Sequence, residues 1–254
     1  MITRYHCALN GQGLQDVDPA ICVTDIQESA PPLRASTAAG LGDGQRLLRL
    51  SRGSLSVTVT FEVHAYDPAR RKAIAQKACA WAREGWLTVS DRPGQRLRVV
   101  CDRLPTVGSA LRWTDPLTIG FTAYELPYWQ ELHPAQTIWT GRSGSATLSP
   151  AGSVPCCLEA EVTALGAVSR LTLAVNGRSM ALTNLGLSAG QTLRLGYDEA
   201  HHRQFLRVGD ASALDKRTAA SADDLLLEPR QPNAVSLAAD GEVKAILKGR
   251  GLWR

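Results

Sequence analysis

Two adjacent histidines are the residues in this sequence best suited to metal binding. His201 and His202 lie close to Asp198 and Glu199, and imidazole and carboxylate groups together bind many transition metals. Neighbouring residues on an extended strand point to opposite faces, so the two imidazoles are not expected to converge on one ion. We therefore expect this segment to be a solvated loop rather than a metal site.

Cysteines could provide redox or zinc chemistry if they were suitably grouped. The six cysteines are Cys7, Cys22, Cys79, Cys101, Cys156 and Cys157. They form no C-x-x-C motif and no Cys/His spacing typical of zinc. A disulfide between Cys156 and Cys157 would strain the peptide bond that joins them, and Pro155 and Leu158 flank the pair like the start of a buried strand. We expect free thiols in a reducing cytoplasm, with this pair as small core residues.

Paired carboxylates could perform acid–base catalysis. Glu159 and Glu161 are two residues apart on a predicted strand, so they share its exposed face. Asp223 and Asp224 are adjacent in a polar segment. Both pairs are expected to be solvated surface residues.

A short basic cluster, Arg70, Arg71 and Lys72, falls in the first turns of a predicted helix. Cations at that end of a helix oppose its dipole. Ordinary exposure is the expectation, and contact with an acidic partner is the alternative.

Common catalytic and nucleotide-binding motifs are absent from the sequence. It contains no G-x-S-x-G, H-E-x-x-H, Walker A or G-x-G-x-x-G pattern. A small hydrolase with an unfamiliar site would need a nucleophile and a base, and no such pair can be named. We expect no catalytic residue, no metal and no cofactor, and we expect that the protein is not an enzyme; the sequence assigns no binding residue.

Composition favours a folded protein of two domains. The 254 residues are 44% hydrophobic and 20% charged, with a net charge of +4. Like charges do not form runs that could follow a phosphate backbone, so nucleic-acid binding is not expected. No apolar stretch is long enough to span a membrane, and the first ten residues have no signal-peptide core.

The first half of the chain is predicted to be rich in strands. Residues 54–64 alternate between apolar and polar side chains, and residues 47–50 precede them across a polar turn, which predicts an antiparallel hairpin. Residues 86–89 and 97–101 predict a second hairpin, and residues 117–124 predict a last strand.

One helix is predicted, from Asp67 to Glu84. Asp67 can cap the first free N–H groups, Pro68 suits the first turn, and Gly85 is a typical C-terminal stop. The stripe expected to face the sheet consists of Ile74, Ala78, Trp81 and Ala82.

The second half predicts many short strands and no further helix. Residues 133–144 have the composition of a linker, which gives domains at 1–132 and 145–254. Tight turns are predicted at Asn176-Gly177 and at Asp240-Gly241, between strand-like runs. The fold class is therefore mainly β, with a C-terminal β-sandwich.

This order of elements resembles the distal tail protein family of long-tailed, siphovirus-type bacteriophages. The resemblance rests on the alternating strand, the Asp67-Pro68 helix start, the Gly85-Trp86-Leu87 strand and the closing Pro127-Tyr128-Trp129. In that family an acidic residue typically precedes Pro-Tyr-Trp, whereas this chain has Leu126. The second half resembles the galectin-like β-sandwich of the same family and ends in the turn Pro229–Asn233 and two closing strands.

The resemblance implies a structural virion protein, located at the phage tail tip and assembled in the bacterial host cytoplasm. It implies an N-terminal belt domain that forms a ring of six copies, from which the galectin-like domains project. The implied partners are other copies of the chain, the tail tube protein, a tail-associated or tail-tip protein and a receptor-binding protein. Neither nucleic acid nor a membrane is an expected partner.

A carbohydrate-binding lectin module for adhesion is the alternative. Trp113, Trp139 and Trp253 could stack on a sugar ring. Galectins, however, bind galactosides through a His-x-Asn-x-Arg strand, and His202 is followed by Arg203-Gln204-Phe205. We therefore expect no binding of simple sugars.

Overall fold

The chain is mainly β and divides into two compact units, residues 1–129 and residues 130–254. The computed structural model describes residues 5–39, 45–108, 111–112, 114–198 and 203–254. Its one α-helix in these ranges lies in the first unit. No helix in the described ranges is long and apolar enough to cross a membrane.

The first unit is built on an antiparallel sheet whose main path has seven strands. The elements are β1 (Cys7–Leu9), β2 (Gln12–Gly13), β3 (Ile21–Ser29), β4 (Leu33–Ala39), β5 (Gln45–Arg52), β6 (Leu55–Val63), α1 (Pro68–Trp81), β7 (Gly85–Val89), β8 (Gln95–Arg103) and β9 (Leu117–Ala123). The sheet has the order β2-β1-β7-β8-β9-β6-β3, whereas β4 and β5 form a separate two-stranded sheet.

Strand β6 confirms the predicted alternation but not its predicted partner. Every second residue from Leu55 to Val63 is buried. The hairpin predicted with residues 47–50 is wrong, because those residues belong to β5 and pair with β4, while β6 pairs with β3 and β9. Residues 53 and 54 connect β5 directly to β6, so they do not form the predicted hairpin turn. The Gly53 N–H donates to the Pro32 carbonyl oxygen (2.8 Å).

Helix α1 begins where the sequence predicts. The Asp67 carboxylate accepts hydrogen bonds from the N–H groups of Ala69 (3.2 Å) and Arg70 (3.1 Å), and Pro68 occupies the first turn. The buried residues of the helix are Ile74, Ala75, Ala78 and Trp81. Three of the four residues in the predicted stripe are confirmed; the fourth, Ala82, is also buried but is the C-cap, and Ala75 was not predicted.

The helix ends earlier than predicted, at Trp81 instead of Glu84. Gly85 is not its cap but the first residue of β7, with φ +154°. A Cβ atom there would collide with the side chain of Asn10. Glycine is needed for this close approach rather than for a helix stop.

The second hairpin and the last strand of the first unit are confirmed. Strands β7 and β8 pair in register from Gly85–Val99 to Leu87–Leu97. Strand β9 lies between β8 and β6 and is buried along most of its length.

The second unit is also antiparallel. Its elements are β10 (Trp129–Glu131, which crosses the division), β11 (Ala135–Leu148), β12 (Cys156–Ala164), β13 (Leu171–Val175), β14 (Arg178–Leu182), β15 (Thr192–Asp198), β16 (Arg203–Val208), β17 (Ala211–Ser212), a 3-10 turn (Leu214–Lys216), β18 (Leu226–Leu227), β19 (Asn233–Gly249) and β20 (Leu252–Trp253). The main order is β14-β13-β19-β12-β15-β16-β17.

Strand β19 joins two halves of this sheet. Its residues 235–239 pair with β13 and its residues 243–249 pair with β12, while β11 follows it along nearly its whole length. Inward side chains of both halves form one hydrophobic core. The many predicted short strands are confirmed, whereas the likeness to galectins in particular stays a prediction.

The linker predicted at residues 133–144 is wrong for most of its length, because β11 begins at Ala135. Its glycines have packing roles. Gly141 (φ +146°) directly precedes a shift in the register with β19, and a Cβ atom at Gly144 would lie 2.6 Å from Cε2 of Trp139. Glycine here permits a bulge and a close ring contact and does not indicate a loop.

Of the two predicted tight turns, Asn176-Gly177 is confirmed. Both residues have positive φ and connect β13 to β14. The turn predicted at Asp240-Gly241 is wrong, because both residues lie within β19. A Cβ atom at Gly241 would collide with the carbonyl oxygen of Ala167, so this glycine accommodates a neighbouring chain segment.

Candidate assembly surfaces

The described residues contain no group of three or more His, Cys, Asp or Glu side chains that could hold a metal ion. Asp198 is the last residue of β15. Glu199, His201 and His202 lie outside the described residues. The expectation of a solvated loop there stays a prediction.

The adjacent cysteines begin strand β12. Cys156 is buried and Cys157 is half-buried, and they pair in register with Leu227 and Leu226 of β18. Burial raises the pKa of both thiols to about 12, because a thiolate would lose its hydration. Both thiols are free and stay protonated at neutral pH, which suits a packing role.

The two glutamates of β12 point outward, and each faces a cation. Glu159 accepts a hydrogen bond from Arg250 Nε (3.2 Å), and Glu161 accepts one from Lys248 Nζ (3.4 Å). The side chain of Asp223 is 96% exposed. Surface pairs of this kind contribute about 0–1 kcal/mol each, and the two glutamates are engaged with cations rather than with each other.

Only part of the basic cluster on α1 is available to a partner. Arg71 is engaged with the loops beside the helix: its Nε donates to the carbonyl oxygen of Leu111 (2.8 Å) and its Nη1 to that of Tyr66 (2.8 Å). Arg70 and Lys72 are exposed.

The two-stranded sheet of β4 and β5, here called the hairpin sheet, exposes three large apolar side chains. Leu33, Leu47 and Leu48 are 60%, 56% and 60% exposed. Neither strand pairs with any other strand in the described residues. A register shift after Ser36 leaves Leu48 without a partner residue opposite it. Isolated two-stranded sheets are marginal in water, so this one is suited to being covered by another molecule.

The Pro127-Tyr128-Trp129 motif has a packing role. Trp129 is 1% exposed. Its Nε1 donates to Glu28 Oε2 (3.0 Å), the same carboxylate accepts from Arg92 (3.0 Å), and the Arg92 guanidinium lies 5.7 Å from the indole. The motif therefore fixes the end of the first unit to β3 and to the turn after β7.

Asn233, at the end of the predicted proline-and-asparagine turn, is fully buried. Its side-chain nitrogen donates to the carbonyl oxygens of Leu148 (3.1 Å) and Glu228 (2.9 Å), and its Oδ1 accepts from Asn176 Nδ2 (2.8 Å). The sequence predicted the turn but not the buried hydrogen-bonding role of Asn233, although an asparagine in a turn often forms such bonds. It holds three connections of the second unit together.

The three tryptophans considered for sugar stacking are not seen to form a binding surface in the described residues. Trp113 lies outside the described residues. Trp139 is half-buried and its ring covers Gly144, while Trp253 is half-buried in β20. No ring contact joins Trp139 to Trp253 in the described residues.

Comparison with known proteins gives matches in structure and none in sequence. No family model and no curated protein matches the chain. The crystal structure of SPP1 Dit (gp 19.1), described as a paradigm of the hub adsorption apparatus in phages that infect Gram-positive bacteria, is 13% identical and has a TM-score of 0.68. The match covers 97% of this chain and 98% of that one.

A second match is a chain in the phage P2 baseplate in its activated conformation with Ca. It is 8% identical, has a TM-score of 0.50 and covers 99% of this chain and 98% of that one. Both matches run through both units. The resemblance seen in the sequence is thus confirmed at the level of the fold: the chain has the fold of the phage distal tail protein Dit.

Proposed function

We propose that this chain is a structural subunit of a phage tail tip, a distal tail hub protein. The observation that carries the proposal is the match to SPP1 Dit over nearly the full length of both chains. A shared fold alone does not fix a function. Here the proposal has further support from an arrangement of surfaces suited to assembly.

In the proposed assembly, six copies form a ring through their first units. The hairpin sheet supports this part of the proposal, because its leucines are exposed and both of its strands have unpaired edges. Subunits in a closed ring make head-to-tail contacts, and pairing of strand edges between copies is one route to them.

The ring would join the tail tube to a tail-tip protein, and the second units would present sites for receptor-binding proteins. The chain would act within the virion, after assembly in the cytoplasm of the bacterial host. The proposal gives it no catalytic role. The cysteines and carboxylates described above support this, since their protonated or ion-paired states suit packing and surface roles.

Native mass spectrometry of the full-length protein tests the ring. A single species of six times 27.3 kDa, with sixfold rings in negative-stain images, is the expected result. A strict monomer at high concentration, also after mixing with a tail tube protein from the same phage, would count against the proposal.

A further inference from the structure

Two arginines stand directly opposite each other on the outer face of the second unit. Arg194 on β15 pairs in register with Arg207 on β16, and both are exposed. Leu193, Leu195 and Leu206 beside them are buried, so the arginine pair projects outward. Like charges directly opposite each other destabilise a sheet. The arginine pair is therefore better explained by binding than by a contribution to stability.

No carboxylate in the described part of the chain forms an ion pair with either arginine. Strand β12 offers the nearest candidates, since Glu161 pairs in register with Arg194. Yet Glu161 is engaged with Lys248 and Glu159 with Arg250. Neither arginine thus has an ion pair in the described residues, and the carboxylate that the register places opposite Arg194 on its other side is Glu161.

The arrangement suits a single oxyanion. Directly paired residues in an antiparallel sheet have Cα atoms about 4.5–5.5 Å apart, so both guanidiniums can reach the same carboxylate. Arg194 also lines two clefts, one of about 280 Å³ beside Thr192 and Asp210 and one of about 120 Å³ that also contains Glu159 and Glu161. The larger of these two clefts contains neither glutamate and has space for the chain that carries the anion.

The Phe205 ring, which lies beside the arginine pair, disfavours a sugar acid as the ligand. The tip of the Phe205 ring covers Gly196, where a Cβ atom would lie 2.6 Å from Cζ. The guanidinium of Arg207 lies over the ring, 5.1 Å from its centroid. The ring is therefore not open for stacking on a pyranose, which sugar-binding sites usually require.

We propose that the arginine pair binds an acidic side chain of a partner protein, whose carboxylate both guanidiniums share. Planar, paired N–H donors favour arginine over lysine for this task. The site lies in the second unit, so its test does not depend on ring formation by the first.

The test uses the full-length protein and a capped heptapeptide of alternating glutamate and valine, titrated by calorimetry at low salt. Binding should weaken at least tenfold in the double variant Arg194→Gln/Arg207→Gln. It should be unchanged in the control Arg178→Gln/Arg230→Gln, which removes two other exposed arginines of the second unit. The same peptide with glutamine in place of glutamate should not bind.

Three results would overturn the proposal. One is equal binding by the double variant and the control, and another is no binding by the native protein at about 1 mM peptide. The third is tighter binding of tri-galacturonate than of the peptide, lost in the double variant, which would assign the site to an acidic glycan.

Discussion

Single buried side chains connect elements that lie far apart in the sequence. Trp81 donates from Nε1 to the carbonyl oxygen of Gln12 (3.0 Å) and meets Phe121 edge to face, with ring centroids 6.1 Å apart. One residue thus fixes the helix to β2 and to β9 in the main sheet. Trp129 and Asn233 have comparable roles at the end of the first unit and within the second.

Trp81→Ala should destabilise the protein by about 3–5 kcal/mol, because it removes a large buried side chain and leaves a cavity. Urea unfolding monitored by circular dichroism measures the change. Lys72→Ala, on the exposed side of the same helix, should have an effect near zero. Equal unfolding midpoints for the two variants would contradict the packing described for the helix.

Asp240→Asn should lower the melting temperature slightly at pH 7, by about 1 °C. Hydrogen bonds from backbone N–H groups, that of Arg170 above all and then that of Ser169 (2.9 Å), hold the pKa of Asp240 below its usual range. A lowered pKa in the folded state stabilises the protein above the usual carboxyl pKa, and this contribution is lost as the pH falls through the lowered value. Scanning calorimetry from pH 7 to pH 3 should show that the difference in melting temperature between the native protein and the variant becomes smaller. A difference that stays constant over this pH range would contradict the charge argument.

At the scale of elements, the sequence predicts where helices and strands lie, but it does not predict which strands pair with each other. Asp67 and Pro68 mark the helix start because capping depends on residues within one turn. The alternation of residues 54–64 predicts a half-buried strand, but nothing local in it specifies β3 and β9 as its neighbours. Asp240-Gly241 was misjudged for a related reason, because Gly241 makes room for Ala167, about 70 residues away in the chain.

The candidate assembly surfaces were the part least open to prediction. Leu47 and Leu48 are apolar residues in a strand-like run, and their sequence alone predicts burial. Their exposure follows only from the pairing of β5 with β4 in a sheet apart from the main one. The arginine pair is likewise visible only once β15 and β16 are in register.

Replacing two exposed leucines of the hairpin sheet should weaken self-assembly without weakening the fold. Burying a leucine at an interface contributes about 1.5–3 kcal/mol, so Leu47→Gln/Leu48→Gln should raise the dissociation constant of assembly at least tenfold. Sedimentation velocity over a concentration series measures it. Leu104→Gln/Leu165→Gln, which changes two other exposed leucines, should assemble like the native protein. Equal assembly by both variants would exclude the hairpin sheet as a contact.

At the scale of the whole molecule, most pairing is between distant parts of the chain. Strand β11 pairs with β19 about 100 residues later, and β1 pairs with β7 about 80 residues later. Such non-local contacts require long loops to close before they stabilise anything, which slows folding. The same property explains why fold class was predictable while sheet order was not.

The full-length protein should bind simple galactosides no more tightly than about 1 mM. The His-x-Asn-x-Arg strand of galectins is missing, and unpaired sugar hydroxyls would lose water without compensation. Calorimetry with lactose, together with a glycan array, measures this. Micromolar binding to a defined glycan, abolished by Trp139→Ala, would support the lectin alternative.

The two ends of the second unit lie side by side. The Glu131 N–H donates to the carbonyl oxygen of Gly251 (2.8 Å), the Gly251 N–H donates to the Glu131 carboxylate (2.9 Å), and Ala135 pairs with Gly249. Units whose ends adjoin can be exchanged or inserted as cassettes with little disturbance to their host. A peptide fused after Arg254 would therefore lie close to Glu131, where this unit begins. A peptide inserted at Asn176-Gly177 would instead project from the turn between β13 and β14.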